Sequence, residues 1–283
     1  MKIVAVLACF NRREKTLECL QRLFVCRLPR EAELHVVVVD DASPDGTGAA
    51  VASIFGQRVS VIAGPGNLFW NRGMHLGLGI AAGLEPSHYL WLNDDTLLEV
   101  DALLRLLGSA ESVRAESGLG AVVVGATCDA SGEWSYGGSV AVGGAWRPFR
   151  YRAAWSPNTT LACDVMNGNC VLVTRAAAER VGTIDPVFAH AMGDTDYALR
   201  ARALGVPVLA APGWVGRCDK NSKAGTYADR SLPFLTRWNK LLDRKGLPPR
   251  SWLHFVRRHG GWLWPLHFAW PYIKLTMESL RVR

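Results

Sequence analysis

This sequence predicts an α/β fold, a Rossmann-like and mostly parallel sheet flanked by helices, and three observations carry that reading. Apolar runs of strand length alternate with helical stretches through residues 1–125. The runs are nearly continuously apolar, as strands of a parallel sheet are when both faces are buried. Two of them end in paired acids: VVVVDD closes on Asp40 and Asp41, and HYLWLNDDT carries Asp94 and Asp95. Ligands of open α/β sheets bind in the crevice beyond the carboxyl ends of such strands.

In chain order, strands are expected over Lys2–Leu7, Leu34–Val39, Val59–Ile62, His88–Leu92 and Leu119–Val124. Helices are expected between them, over Arg12–Cys26, Gly46–Ile54, Trp70–Gly83 and Val100–Ser112. In the first helix Leu17, Leu20, Leu23 and Phe24 recur at helical spacing. ASPDGT, at Ala42–Thr47, supplies turn and cap chemistry before the second. From Ala126 to Thr160, interleaved Gly, Ser and Trp predict short antiparallel hairpins or loops over one side of the sheet. CDVMNGNCVLVTR reads as a strand broken at Asn167–Asn169 and then resumed. Helices over Thr174–Val181 and Asp194–Leu204, the latter closed by Gly205, precede a short last strand, VPVLAAP. A polar loop, a helix near Leu232–Leu242 and a Trp-rich tail complete the chain. The expected division is residues 1–216, with a nucleotide-binding half at 1–125 and an acceptor and catalytic half at 126–216, followed by an extension at 217–283.

Composition narrows the function. Hydrophobic residues make up 49% and charged residues 20% of the 283, which is a folded globular balance. MKIVAVLACF is too short, and too poor in flanking cations and cleavage-site residues, for an export signal, so it reads as a first buried strand. The seven cysteines are odd in number and form no CxxC pair, which predicts reduced thiols and a cytoplasmic protein. No apolar stretch has the length of a membrane span. The first strand is followed by ACFNRRE, with no glycine, so the dinucleotide fingerprint of a dehydrogenase is missing, and a P-loop is missing too.

The motifs at the strand ends carry the chemistry. In LNDDT, Asn93, Asp94 and Asp95 alternate in direction, so one carboxylate can hold a metal while its neighbour meets a ribose or the loop; the same residues also suit a turn and cap. Mg²⁺ takes one or two carboxylates and completes its shell with phosphate oxygens and water. GPGNLFWNRGMHLG, with Asn67 and Asn71, is a loop entering a helix whose amides can face an anion or a nucleoside, or simply a loop with turn glycines. GDTD places Asp194 and Asp196 at a helix start, as caps or as a general base.

Together MKIVAVLACFNR, VVVVDDASPDGT, NLFWNRG, WLNDDT and MNGNCVLVTR…GDTDYALRARALG resemble glycosyltransferase family 2, in order, over about residues 1–215. Members are inverting enzymes of the GT-A fold, rhamnosyltransferases among them. The resemblance implies a nucleoside-diphosphate sugar donor, UDP- or dTDP-linked, and a carbohydrate or lipid-linked acceptor, as in bacterial cell-surface polysaccharide or glycolipid synthesis. It implies that Asp40 and Asp41 meet the nucleobase and ribose, with Phe10, Asn11 and Arg12 against the nucleotide. Asn67, Asn71, Asn93 and Asp94 fall on the donor side. Asp95 would ligate a divalent cation, Mn²⁺ or Mg²⁺, and Asp194 would be the catalytic base. Asn167, Gly168, Asn169 and Asp196 fall on the acceptor side. Two departures stand out. Asn93 replaces the Asp that often opens the acidic triplet, and no His follows the last strand, where Arg217 and Cys218 stand instead. An arginine there would neutralise diphosphate directly and make metal dependence partial. A non-catalytic nucleotide-sugar-binding relative and a nucleotidyltransferase are the alternative readings.

The extension is a separate matter. From Arg217 onward 14 Lys and Arg face 4 Asp and Glu, a net of +10, while the preceding residues net −3. Four of the eleven tryptophans fall within SWLHFVRRHGGWLWPLHFAWPYIKL. Trp and cations suit an anionic membrane surface, on the inner face of the plasma membrane for a cytoplasmic enzyme. They equally suit a cover over the catalytic core or a subunit interface. Nucleic acid is not expected, since the cations form no reader motif. A chain ending near Gly246 is expected to stay folded, because the sheet and its acidic edge are complete before Arg217.

Overall fold

A computed structural model describes residues 1–117 and 120–280. Leu119, the expected start of the fifth strand, lies outside the described residues, as do the cations Arg281 and Arg283. The first half runs β1 (Lys2–Cys9), α1 (Arg13–Phe24), β2 (Glu33–Asp40), α2 (Thr47–Phe55), β3 (Val59–Ala63), α3 (Phe69–Ala82), β4 (His88–Leu92), β5 (Leu97–Leu98) and α4 (Ala102–Ser117). The second half runs β6 (Val122–Cys128), β7 (Trp134–Tyr136), β8 (Gly138–Ala141), β9 (Tyr151–Ala154), β10 (Leu161–Ala162), β11 (Val165–Met166), β12 (Cys170–Thr174), α5 (Arg175–Val181), α6 (Gly193–Ala203) and β13 (Val208–Arg217). The extension adds α7 (Phe234–Leu242), α8 (Pro249–His259) and α9 (Trp264–Leu280).

The main sheet has the order β10-β13-β6-β12-β4-β1-β2-β3, with β5 on β13 and β7 on β6. Strands β3, β2, β1 and β4 are parallel, whereas β12 lies antiparallel between β4 and β6. That reversal matters for the site: Cys170 of β12 pairs with Leu92 of β4, so the loop entering β12 meets the carboxyl end of β4. The alternation of β1 sends Ile3, Ala5, Leu7 and Cys9 into a core shared with α1, α2 and α4. Val4 and Val6 enter the opposite core, with α3, α5 and α6. Each layer of helices therefore has its own apolar seam on the sheet. All seven cysteines are buried and unpaired.

The hairpin region resolves into β7 and a separate sheet ordered β11-β8-β9. The last strand differs from expectation: β13 continues through Pro212 to Arg217, with register shifts between Ala210 and Gly216. Pro212 donates no ladder hydrogen bond, and Gly213 adopts φ +68°, so the pair makes a bulge and does not end the strand.

The tail packs on the core. A third apolar cluster joins Phe188, just before α6, to Trp252, Phe255 and Val256 of α8, with Trp264, Phe268 and Tyr272 of α9 against it. Asp196 of α6, fully buried, accepts from Arg258 Nη1 at 2.7 Å and His259 Nε2 at 2.8 Å. Asp185 accepts from Arg258 Nη2 at 2.9 Å and His254 Nε2 at 3.0 Å. The inner face of the extension thus covers the core, one of the roles its sequence allows, and the packed unit continues past Arg217. No helix among the described residues is long and apolar enough to cross a membrane.

Candidate active site

The carboxyl ends of β1, β2 and β4 form one edge, and the backbone is unusual along it. Among the described residues five non-glycine positions have positive φ; Asn11, Ala42, Phe69 and Met192 follow β1, follow β2, open α3 and precede α6. Left-handed backbone outside glycine costs energy and collects where surrounding structure enforces a functional geometry.

Asp40 and Asp41 build this edge from below. Asp40 accepts from the amides of Ser43 and Gly48, fixing the turn into α2. Asp41, 5% exposed, accepts from Gly66, Leu68 and Phe69 at 2.7, 2.8 and 3.1 Å. Both carboxylates are engaged by main chain: Asp41 Oδ2 accepts two amides, and the other three oxygens accept one each. Phe10, Asn11, Arg12 and Asn67 are exposed above them.

Arg12 joins the two motifs. Its Nη1 lies 3.1 Å from Asp94 Oδ1 and 2.7 Å from Asp95 Oδ2. Burial pushes the Asp94 carboxyl up to about 6 against the pull of Arg12, and the neighbouring Asp95 adds to the rise. The two carboxylates therefore converge on one positive charge. Arg217, expected to be the cation here, is exposed, while Cys218 turns inward. The Cys218 thiol sits 3.7 Å from Asp95 Oδ1 and receives the Asn169 amide at 3.4 Å. Among the described residues no three His, Cys, Asp or Glu side chains form a complete metal cage. Two carboxylates on a shared cation do fit a hard divalent ion that takes the rest of its shell from diphosphate and water. Asp95 and Asp94 would hold it.

The opposite wall is the Asn167–Asn169 loop with the start of α6. Asn93 N–H donates to the Asn169 carbonyl at 2.9 Å, and Gly168 N–H donates to Asp194 Oδ2 at 3.0 Å. A short chain of bonds thus links the acidic triplet to Asp194. Asn167 accepts weakly from Gly137 and holds the loop to the hairpin sheet. Gly168 has to be glycine, because a Cβ there would run into the Trp70 ring. Asp194 is half-buried in the first turn of α6. Burial raises its pKa above the ordinary carboxylate value, partly offset by the Thr195 and Gly168 amides. A carboxylate held this way is a competent proton acceptor nearer neutral pH.

Two expected contacts are structural instead. Asn71 is fully buried; its amide donates to the carbonyls of Asp185 and Phe188, both at 2.8 Å, stapling α3 to the segment before α6. Asp196 is likewise buried under Arg200, Arg258 and His259. Two site residues escape sequence reasoning. Trp70 and His190 carry buried, unpartnered Nε1 and Nδ1 atoms. Burial holds the His190 imidazole down to about 4, with Lys245 and Arg12 contributing. Asn93 Oδ1 is also unpartnered. Buried polar atoms are seldom left so, and a bound substrate is one way to satisfy them.

The family model described as glycosyl transferase family 2 matches residues 4–182. Among solved structures, the mannosyltransferase PcManGT from Pyrobaculum calidifontis in complex with GDP-Man and Mn²⁺ has a TM-score of 0.56 at 18% identity, covering 99% of this chain and 74% of its own. S. aureus TarS 1–349 in complex with UDP-GlcNAc has a TM-score of 0.56 at 14% identity, covering 93% and 73%. GalNAc-T7 with UDP, GalNAc and Mn²⁺ has a TM-score of 0.57 at 14% identity, covering 77% of this chain and 43% of its own. At such identities the likeness is one of fold, and the fold is GT-A. A comparison with curated proteins finds no match.

Proposed function

The chain belongs to glycosyl transferase family 2 and is a glycosyltransferase, and we propose that it works by inversion, moving a hexose from a nucleoside-diphosphate sugar to the hydroxyl of a carbohydrate or lipid-linked acceptor in surface polysaccharide or glycolipid synthesis. UDP and dTDP are the proposed donor nucleotides, held over Phe10–Arg12 and Asn67. The observation that carries this reading is the pairing of two sites on one edge: Asp94 and Asp95 around a cation, and Asp194 tied to them through Gly168, Asn169 and Asn93.

Asp194 accepts the proton of the acceptor hydroxyl. The hydroxyl oxygen bonds to the anomeric carbon, and the bond from that carbon to the diphosphate oxygen breaks with its electron pair on the diphosphate. Asp196 cannot offer a second carboxylate to the sugar, because it is buried in its own ion pairs. A single displacement with inversion follows. Arg12 lies where it can neutralise the departing diphosphate, which lowers the barrier by charge already in place. A divalent ion, when bound at Asp95 and Asp94, supplies further Lewis-acid charge to the same leaving group.

The test is Asp194→Asn. The variant is expected to fold and to bind donor, while transfer falls by ~10²–10⁴-fold, the usual loss for a general base. Unchanged transfer would reduce Asp194 to a helix-start residue. Donor identity comes from a thermal-shift screen of nucleotide sugars with and without Mn²⁺.

A further inference from the structure

The inner face of the extension is used by the core; its outer face is not. Leu266, Trp270, Ile273 and Met277 of α9 are exposed and fall within about 60° of one another around the helix. Leu275, on the opposite side, is buried. Trp262, just before α9, continues the stripe at 79% exposure, and Trp270 is 57% exposed. A second element adds to it. The loop between β8 and β9 is bound to the flank of α9, where His267 Nε2 meets the Ala145 carbonyl at 3.0 Å. The next residue, Trp146, is 73% exposed.

The charge around these aromatics has one sign. Residues 142–154 and 249–280 contain seven Lys and Arg; Arg258 is spent on Asp185 and Asp196 of the core, and the others are Arg147, Arg150, Arg152, Arg250, Arg257 and Lys274. Their single acid is Glu278, already paired with Arg237 at 2.9 Å and Arg230 at 3.4 Å. A second copy of the chain would bring these cations against themselves, which disfavours a symmetric dimer. An anionic bilayer complements both the charge and the aromatics. Indole rings settle at the headgroup level, and an amphipathic helix lies in the interface plane. α9 is 17 residues long, about 26 Å, enough to lie along a surface and, by composition, not a span.

We propose that Trp146, Trp262 and the Leu266–Trp270–Ile273–Met277 stripe dock the enzyme flat on an anionic lipid surface, with Arg147, Arg150, Arg257 and Lys274 at the headgroups. The extension also reaches the donor edge. The Arg244 guanidinium stacks 3.9 Å from the Phe69 ring, beside the Asp41 loop. An acceptor embedded in the membrane is the one a docked enzyme would meet; that step rests on the transferase reading, and the docking face does not.

The experiment is vesicle flotation with the full chain and no substrate. Vesicles of phosphatidylglycerol and phosphatidylcholine in equal parts are compared with pure phosphatidylcholine. Binding is expected to the first, to weaken with salt, and to fall on the order of 10-fold or more in the triple variant Leu266→Gln, Trp270→Gln, Ile273→Gln. The variant's thermal melt should match the unmodified protein, since all three side chains are exposed. Arg257→Gln with Lys274→Gln should lower binding to the anionic vesicles only. Absence of flotation, or flotation indifferent to the triple variant, overturns the proposal. So does a dimer in light scattering that the triple variant dissociates, which would assign the face to a second copy. Transfer to a water-soluble acceptor, run beside it, reports on the transferase reading independently of docking.

Discussion

Arg12 carries more of the donor site than its place in a first loop suggests. Its guanidinium bridges Asp94 and Asp95, so it competes for those carboxylates with any cation bound there. Arg12→Gln is expected to tighten Mn²⁺ binding, read by titration of free Mn²⁺, and to weaken binding of nucleoside diphosphate without metal. Asp95→Ala should lose most divalent-dependent donor binding; equal donor affinity with chelator and with Mn²⁺ in the unmodified protein would remove the metal from the mechanism. Asp194 makes a separate prediction in pH. It acts only when ionised, and burial raises its pKa, so transfer should decline on acidification from a point above the ordinary carboxylate range. A rate flat down to that range would contradict the assigned base. At this scale the sequence was partly readable. Asp94, Asp95 and Asp194 are visible because acid after an apolar strand or at a helix start is informative by position. Asn71 and Asn67 share one motif, yet Asn67 lies exposed in the loop before α3 and Asn71 on the buried face of the helix, a boundary and a phase that the motif does not reveal. Trp70 and His190 show no signal until the chain folds the one against Gly168 and buries the other.

α8 is the element whose role its sequence leaves most open. Its aromatics suit a membrane surface, a core cover or a subunit interface equally in the sequence, and Trp252 and Phe255 pack beneath α9 while Arg258 reaches into the core. Periodicity shows that one face of a helix is apolar; it does not say which surface covers that face. The ion pairs on Asp196 give the docking a pH signature. They hold its pKa down to about 2, although burial alone would raise it. A depressed carboxylate contributes stability that is present above the ordinary pKa, near 4, and lost as pH falls toward the folded value. The contribution is about 2 kcal/mol at neutral pH. Urea midpoints should drop between about pH 4 and pH 2, and Asp196→Asn should flatten that part of the profile while lowering stability at pH 7. Arg258→Ala leaves Asp196 with Arg200 and His259, so its cost should be about 2 kcal/mol, below the range for fully stripping a buried charge. An Asp196→Asn variant with unchanged stability at pH 7 would show that the Asp196 ion pairs do not hold α8.

The whole molecule was legible as a sheet with an acidic edge, because parallel strands announce themselves by continuous apolar runs. The reversed strand β12 was not, since direction within a sheet leaves no mark on a run such as CVLVT. Yet that reversal brings Asn169 to Asn93 and Gly168 to Asp194, and so links the two acidic motifs. The extension is the larger case. Reading the sheet as complete before Arg217 implies that a chain ending near Gly246 stays folded. The packing of the extension on the core argues for the opposite outcome. Truncation there removes Trp252, Phe255, Val256 and Leu263, all buried, and leaves Phe188 and Asp196 uncovered. Each such side chain contributes about 1.5–3 kcal/mol by burial, and a domain's net stability is only about 5–15 kcal/mol. The truncated chain is therefore expected to be insoluble, or to melt far below the full protein. That outcome says nothing against membrane docking, because the buried and exposed faces of the extension are removed together. The two roles separate only when the outer face alone is changed, as in the Leu266, Trp270 and Ile273 variant. A truncated chain with an unchanged melt and intact donor binding would show that the third cluster adds no stability, and would restore the extension to the status of a free tail.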